Sequence, residues 1–190
     1  MKKSLGAKTL IYPTPVWVVC SYDKEDKANG MTVAWGGVCC SKPPCVTVSL
    51  RKATYSYGCI MERQAYTVNV LSEAQLAESD YFGMASGRNT DKFADTGLTA
   101  VKSELVDAPY IAEAPMVLEC RVLHTFELGM HTQFVGEILD VKVEESLLGD
   151  DGNPDIHKIR PAVYATGARK YYSVGELLAV AYKYGDKFKK

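Results

Sequence analysis

Arg51, Lys52, Thr54 and Tyr55 stand together at the end of an apolar run, where the chain is set to turn into a helix. Thr54 suits the N-cap of a helix over about Tyr55 to Glu62. Two cations directly before a helix start sit at the positive end of its dipole, where they are disfavoured. An anion resolves the conflict, because free N–H groups, a hydroxyl and two cations then converge on it. An ordinary solvated basic turn also accounts for the pattern, and the turn alone does not choose between the two. Arg88 and Lys92 crowd a second helix start, where Asp91 offers a local partner and weakens the same argument.

The six cysteines form a second set of chemically capable residues: Cys20, Cys39, Cys40, Cys45, Cys59 and Cys120. None is spaced as C-x-x-C, so a zinc or iron–sulfur site is not expected. Reduced thiols packed as small hydrophobes are the expectation. Cys39 and Cys40 adjoin the candidate anion loop; packing is the expectation for them too, with altered reactivity the alternative.

The totals narrow the class. A chain of 190 residues fits one domain with a sizeable core. A net charge of -1 gives no electrostatic case for nucleic acid. No apolar run approaches the roughly 20 residues that cross a bilayer. Met1-Lys2-Lys3 precedes an apolar stretch, but Pro13 and Pro15 break it and no small-residue cleavage pattern follows, so a cytoplasmic protein is expected.

The elements that must position these residues read mostly as strands. Leu10 to Tyr22 is the first, and the charged turn from Asp23 ends in Asn29-Gly30, a hairpin signal. Asn29 to Val38 and Cys45 to Leu50 form a pair around Ser41-Lys42-Pro43-Pro44. Ala65 to Leu71 follows the first helix. Ser72 with Gln75 is a capping box opening a helix to about Met84, and a short helix over Asp91 to Asp95 ends at Gly97. Met116 to Leu128 and Gln133 to Glu145 are long strands; in the second, Leu139, Val141 and Val143 are expected inward, with Asp140, Lys142 and Glu144 outward. Ser173 with Glu176 resembles another capping box, before a C-terminal helix over Leu177 to Tyr182. Six or seven strands that do not alternate with helices predict a mainly β fold with helical insertions. An antiparallel, Greek-key-type barrel fits best.

Taken in order, several stretches go beyond pattern. Asn29-Gly30-Met31-Thr32-Val33-Ala34-Trp35, Ser41-Lys42-Pro43-Pro44, Arg51 to Tyr55, Tyr66 to Leu71, Ser86 to Phe93, Gly97-Leu98-Thr99 and Met130 to Ile138 resemble the flavin reductase-like, FMN-binding split-barrel family. The resemblance runs from about residue 10 to 145, and the tail through Tyr171-Tyr172 is similar to the flavoredoxin branch.

The resemblance implies a homodimeric split β-barrel holding FMN, with NAD(P)H or a redox-protein partner as electron donor. It implies that Asn29, Thr32, Ala34 and Trp35 line the isoalloxazine, with Ser41 in the loop beside it. Arg51, Lys52, Thr54 and Tyr55 would hold the phosphate. Lys92 would add a cation near phosphate or ribityl, and His131 would lie near the flavin and any nicotinamide. Without the resemblance, Trp35 reads as core and His131 as an ordinary histidine. No G-x-G-x-x-G follows a strand, so a nicotinamide would have to bind in an open cleft. Three readings follow: an FMN oxidoreductase, an FMN electron carrier for a protein partner, and a barrel holding another phosphate-bearing ligand.

Overall fold

A computed structural model describes residues 1–189. In chain order the strands and helices are β1 (Thr14–Pro15), β2 (Trp17–Tyr22), β3 (Ala28–Val33), β4 (Gly36–Ser41), β5 (Pro44–Arg51), α1 (Tyr55–Arg63), β6 (Ala65–Val70), α2 (Leu76–Met84), α3 (Lys92–Thr96), β7 (Ala100–Lys102), β8 (Pro109–Ile111), β9 (Met116–Leu128), β10 (His131–Val143), α4 (Ile156–Ile159), β11 (Ala162–Ala165) and β12 (Lys170–Ser173). The fold is mainly β with helical insertions, as the sequence predicts.

Seven strands form one antiparallel sheet in the order β3-β2-β6-β9-β10-β5-β4. Its two edges, β3 and β4, are consecutive in the chain and joined only by Ala34 and Trp35. A two-residue link spans about 10 Å at most, so the sheet must curl until its edges nearly meet. No ladder pairs β3 with β4, so the barrel stays split along that line. Trp35 stands at the split, its carbonyl accepting from the Ser49 N–H at 2.8 Å.

The barrel interior holds Val19, Val33, Val46, Val48, Leu50, Tyr66, Val68, Leu118, Cys120 and Phe134, and α1 adds Ile60. A second cluster lies under α2 and α3, where Phe82 and Phe93 cover Val18, Cys20 and Val117. Strand β6 is buried along its whole length, with Tyr66 and Val68 in the barrel interior. Its outward polar residues are satisfied: Thr67 donates to the Pro109 carbonyl at 2.7 Å, and Asn69 donates to Val18 and accepts from Ile111. On the inward side the Tyr66 hydroxyl donates to the Val46 carbonyl at 3.0 Å. It fills the space beside Gly136, where an added Cβ would lie 2.4 Å from that oxygen.

Four expectations are corrected. Asn29-Gly30 lies inside β3; the turn is made by Asp23 to Lys27, with Asp26 at φ 60° and the Asp23 carboxylate accepting from the Glu25 and Lys27 N–H groups. Leu139 and Val141 are exposed, whereas half-buried Lys142 turns to the fully buried Glu119 at 3.2 Å. Past the register shift between Ile138 and Asp140, Val141 lies opposite Leu118 and Asp140 opposite Glu119, so Val141 keeps the side of the sheet expected for it but stands 43% exposed. Residues 174–180 form no helix, because Ser173 is committed to β12 opposite Ala162 and Leu178 is 95% exposed. A short helix whose apolar side chains have nothing to pack against is not stable. Finally, Cys39 and Cys40 are exposed, while Cys20, Cys45, Cys59 and Cys120 are buried.

Candidate functional site

Strand ends build the first half of the site. In the β5–β10 ladder Arg51 pairs with His131, which places both at the rim of the barrel beside the split. The His131 ring lies 6.3 Å from the Trp35 ring with planes within 6°. Trp35 is 43% exposed, an unusual state for a tryptophan at a strand junction, so its face is available to a ligand. The two rings belong to a cleft of about 470 Å³, with Met31, Thr32, Arg51 and Tyr164 among its walls. Thr32 is held by donating to the Ser79 carbonyl of α2. At the cleft the Tyr171 hydroxyl donates to Asp80 at 2.6 Å, and the Tyr164 and Tyr171 rings pack 5.3 Å apart. Burial first, then the Asp80 carboxylate, pushes the Tyr171 hydroxyl up from its ordinary pKa, so it stays protonated.

The second half is the start of α1. Thr54 has the extended backbone of an N-cap, but its side chain does not cap the helix; its hydroxyl donates to the Arg51 carbonyl at 2.8 Å. The opening N–H groups of α1 therefore lack the partner that an N-cap side chain normally supplies. Arg88 donates to the Ala53 carbonyl at 2.9 Å, and its guanidinium lies 5.7 Å from the centre of the Tyr55 ring. Lys52 pairs with Glu127 at 2.6 Å. Lys52, Thr54, Tyr55 and Arg88 line a second cleft of about 310 Å³ next to the first.

This turn is anchored from below. The Tyr55 hydroxyl donates to Asp23 at 2.8 Å, and that bond, then burial, raises the tyrosine to about 12. Burial opposes charge on Asp23, but the Lys27 N–H, the Tyr55 hydroxyl and the Glu25 N–H outweigh it and lower the carboxyl pKa. At the far end of α1, Arg63 reaches Asp26 at 2.6 Å and Asp107 at 3.0 Å, so the helix is tied at both ends to the β2–β3 turn. Buried Asn29 donates to Ser56 at 2.8 Å. Gly87 fits over Asn29 so closely that an added Cβ would lie 2.1 Å from its Oδ1, which is how Arg88 is brought to the helix start.

Of the residues named from the sequence, Thr32, Ala34, Trp35, Arg51 and His131 share the first cleft, and Lys52, Thr54 and Tyr55 share the second. Asn29 lies beneath the start of α1. Ser41 is not brought to them within this chain: it ends β4 at the tip of the β4–β5 hairpin, about 17 Å of strand from Gly36 beside Trp35. Lys92 is turned into the interior, its ammonium donating to the Phe82 carbonyl at 3.1 Å and lying 5.4 Å from that ring. Burial lowers its pKa from 10.5 to about 8. Asp91 caps its own helix through the Ala94 N–H and pairs with Lys27 at 3.2 Å, which leaves Arg88 to the turn.

Arg88 was visible as a cation near a helix start, but its pairing with the Arg51 turn was not. Tyr164 and Tyr171 read from the sequence as structural or interface aromatics, with cover for a flavin as the alternative; Asp80 gave no local signal, because α2, β11 and β12 meet at the cleft only in the folded chain.

The chain belongs to the flavin reductase-like domain family, whose model matches residues 9–174. The solved structure of flavoredoxin of Desulfovibrio vulgaris (Miyazaki F) is similar at 55% identity, with a TM-score of 0.93 over 97% of this chain and 100% of that one. Flavoredoxin from Methanosarcina acetivorans is similar at 32% identity, with a TM-score of 0.92 over 98% of each chain. An NADPH-flavin oxidoreductase of Streptomyces viridifaciens is 33% identical over 73% of this chain and 71% of its own.

Proposed function

We propose that this chain is an FMN-binding electron-transfer protein, reduced by NAD(P)H or by a redox-protein partner. The observation that carries the reading is the junction of two unlike clefts. An aromatic one at the barrel split meets an uncapped helix start flanked by Arg51, Lys52 and Arg88. FMN has that same division, a planar ring at one end and a phosphate at the other. Trp35, His131, Thr32 and the Ala34 backbone would hold the ring. The α1 N–H groups, Arg51, Lys52, Thr54, Tyr55 and Arg88 would hold the phosphate.

When bound, the flavin supplies the redox chemistry itself. The residues of this chain position it. Trp35 and His131 exclude water from a ring face, Arg51 favours negative charge arriving at the mouth, and protonated Tyr171 offers Asp80 its hydrogen bond rather than a second charge. Exposed Leu123, Phe126 and Leu128 along β9 support a homodimer that buries this face.

Visible absorption of the purified protein, before and after anaerobic NADH and NADPH, tests the reading. A flavin spectrum that bleaches with either nucleotide establishes the oxidoreductase. A colourless protein that refuses added FMN ends it. The similarity to flavoredoxin favours a second reading, a carrier with resident FMN. Bleaching by a reduced redox protein but not by nucleotide selects that alternative.

A further inference from the structure

The β4–β5 hairpin carries three of the cysteines, and the flavin reading uses none of them. Cys40 and Cys45 face each other directly across the ladder, with only Ser41 through Pro44 between them in the chain. Directly opposed residues in an antiparallel pair have Cα atoms about 4.5–5.5 Å apart, inside the range of about 4.4–6.8 Å that a disulfide requires. Both side chains leave the same face of the ribbon. Cys39 falls in the register shift between Val38 and Cys40 and has no opposite residue. The two opposed thiols differ in exposure: Cys40 is open to solvent, with its Sγ 3.3 Å from the Lys42 carbonyl, whereas Cys45 is only 3% exposed. Burial, and then the nearby Cys39 and Cys40 sulfurs, push Cys45 above its ordinary value, as expected for thiols crowded at one point.

We infer that the hairpin tip is a redox-active dithiol site, in which exposed Cys40 exchanges with a low-molecular-weight disulfide and buried Cys45 resolves the adduct into a cross-strand disulfide. The Cys40 thiol loses its proton to solvent, and the thiolate attacks one sulfur of the small disulfide, breaking its S–S bond and releasing one thiolate. A mixed disulfide forms on Cys40. Cys45 then loses its proton and attacks the Cys40 sulfur, expelling the second small thiolate. Two protein thiols are oxidised, one small disulfide is reduced to two thiols, and the two protons lost by the cysteines balance the two thiolates released. The loop closed is short, so the bond gains little from chain entropy and is readily reduced again. The site lies at the far end of β4 from Trp35.

The test uses the full chain, reduced and then exposed in native buffer to oxidised glutathione, with remaining thiols alkylated before peptide mapping. The expected result is a Cys40–Cys45 linked peptide, two fewer alkylated thiols, and full reversal by dithiothreitol. Cys39→Ser keeps the link. Cys40→Ser, an exposed and conservative change, abolishes it while the circular dichroism spectrum is unchanged. A stable glutathione adduct on Cys40, a link from Cys39 to either neighbour, or no reaction overturns the inference.

Discussion

The two clefts on either side of the Arg51 turn are made in different ways. The aromatic cleft is a product of the sheet: Trp35, Arg51 and His131 are fixed by ladders and by the two-residue jump between β3 and β4. The cationic cleft is a product of loops and one helix end. Its members are held by single hydrogen bonds, such as Arg88 to Ala53 and Thr54 to Arg51. Strands therefore set where a flat ring can lie, and a helix start sets where negative charge is accepted. The two functions should separate under mutation.

The largest separation is expected from Lys52→Ala combined with Arg88→Ala, both in the cationic cleft. Loss of two charge-assisted bonds worth about 1.5 kcal/mol or more each lowers FMN affinity by about 100-fold, while riboflavin, which lacks the phosphate, keeps its affinity within about twofold. Fluorescence titration with both ligands reads this, and an equal fall for both erases the distinction between the clefts.

Gly87→Ala comes next. Its Cβ would collide with Asn29, so the variant loses about 1–3 kcal/mol of stability in denaturant unfolding. It also loses FMN affinity more than riboflavin affinity, because the displaced loop carries Arg88.

Trp35→Ala is expected to cost about tenfold in affinity for both ligands alike, from about 1.4 kcal/mol of lost ring contact. A loss confined to FMN would move the phosphate to the wrong cleft.

The smallest effect on the contrast between the clefts belongs to Lys92, which lines neither of them. Burial disfavours its charged form in the folded state, so between about 8 and 10.5 the unfolded chain binds more protons. Unfolding free energy of the flavin-free protein should therefore rise with pH across that window, and Lys92→Met should flatten the rise.

Much of this was legible before folding was considered. Met116 to Leu128 reads as a long strand in the sequence and forms a strand with those ends. Ser72 with Gln75 makes its capping box, although the first turn is a 3₁₀ turn before α2. The Arg51–Tyr55 turn stood out because its charges conflict with a helix start, and conflict within a local rule is a readable signal.

What stayed hidden depended on partners far apart in sequence. Asn29-Gly30 has turn chemistry, but pairing with Ser21 and Cys20 overrides it. Leu139 alternates perfectly in the sequence, but it falls in a register shift against β9 and is exposed, which no local pattern shows. Arg88 joins the helix start only because Gly87 lets one loop rest on Asn29.

The contact between Tyr66 and Gly136 bears on how such a chain can change over time. While tyrosine occupies position 66, no side chain fits at position 136, since even a methyl group would meet the phenol ring and its oxygen. The reverse does not hold, because a smaller apolar residue at position 66 opens the space and leaves glycine tolerable. The two positions therefore have a permitted order of replacement, 66 before 136. A double variant made in that order should be more stable than the sum of its single changes predicts.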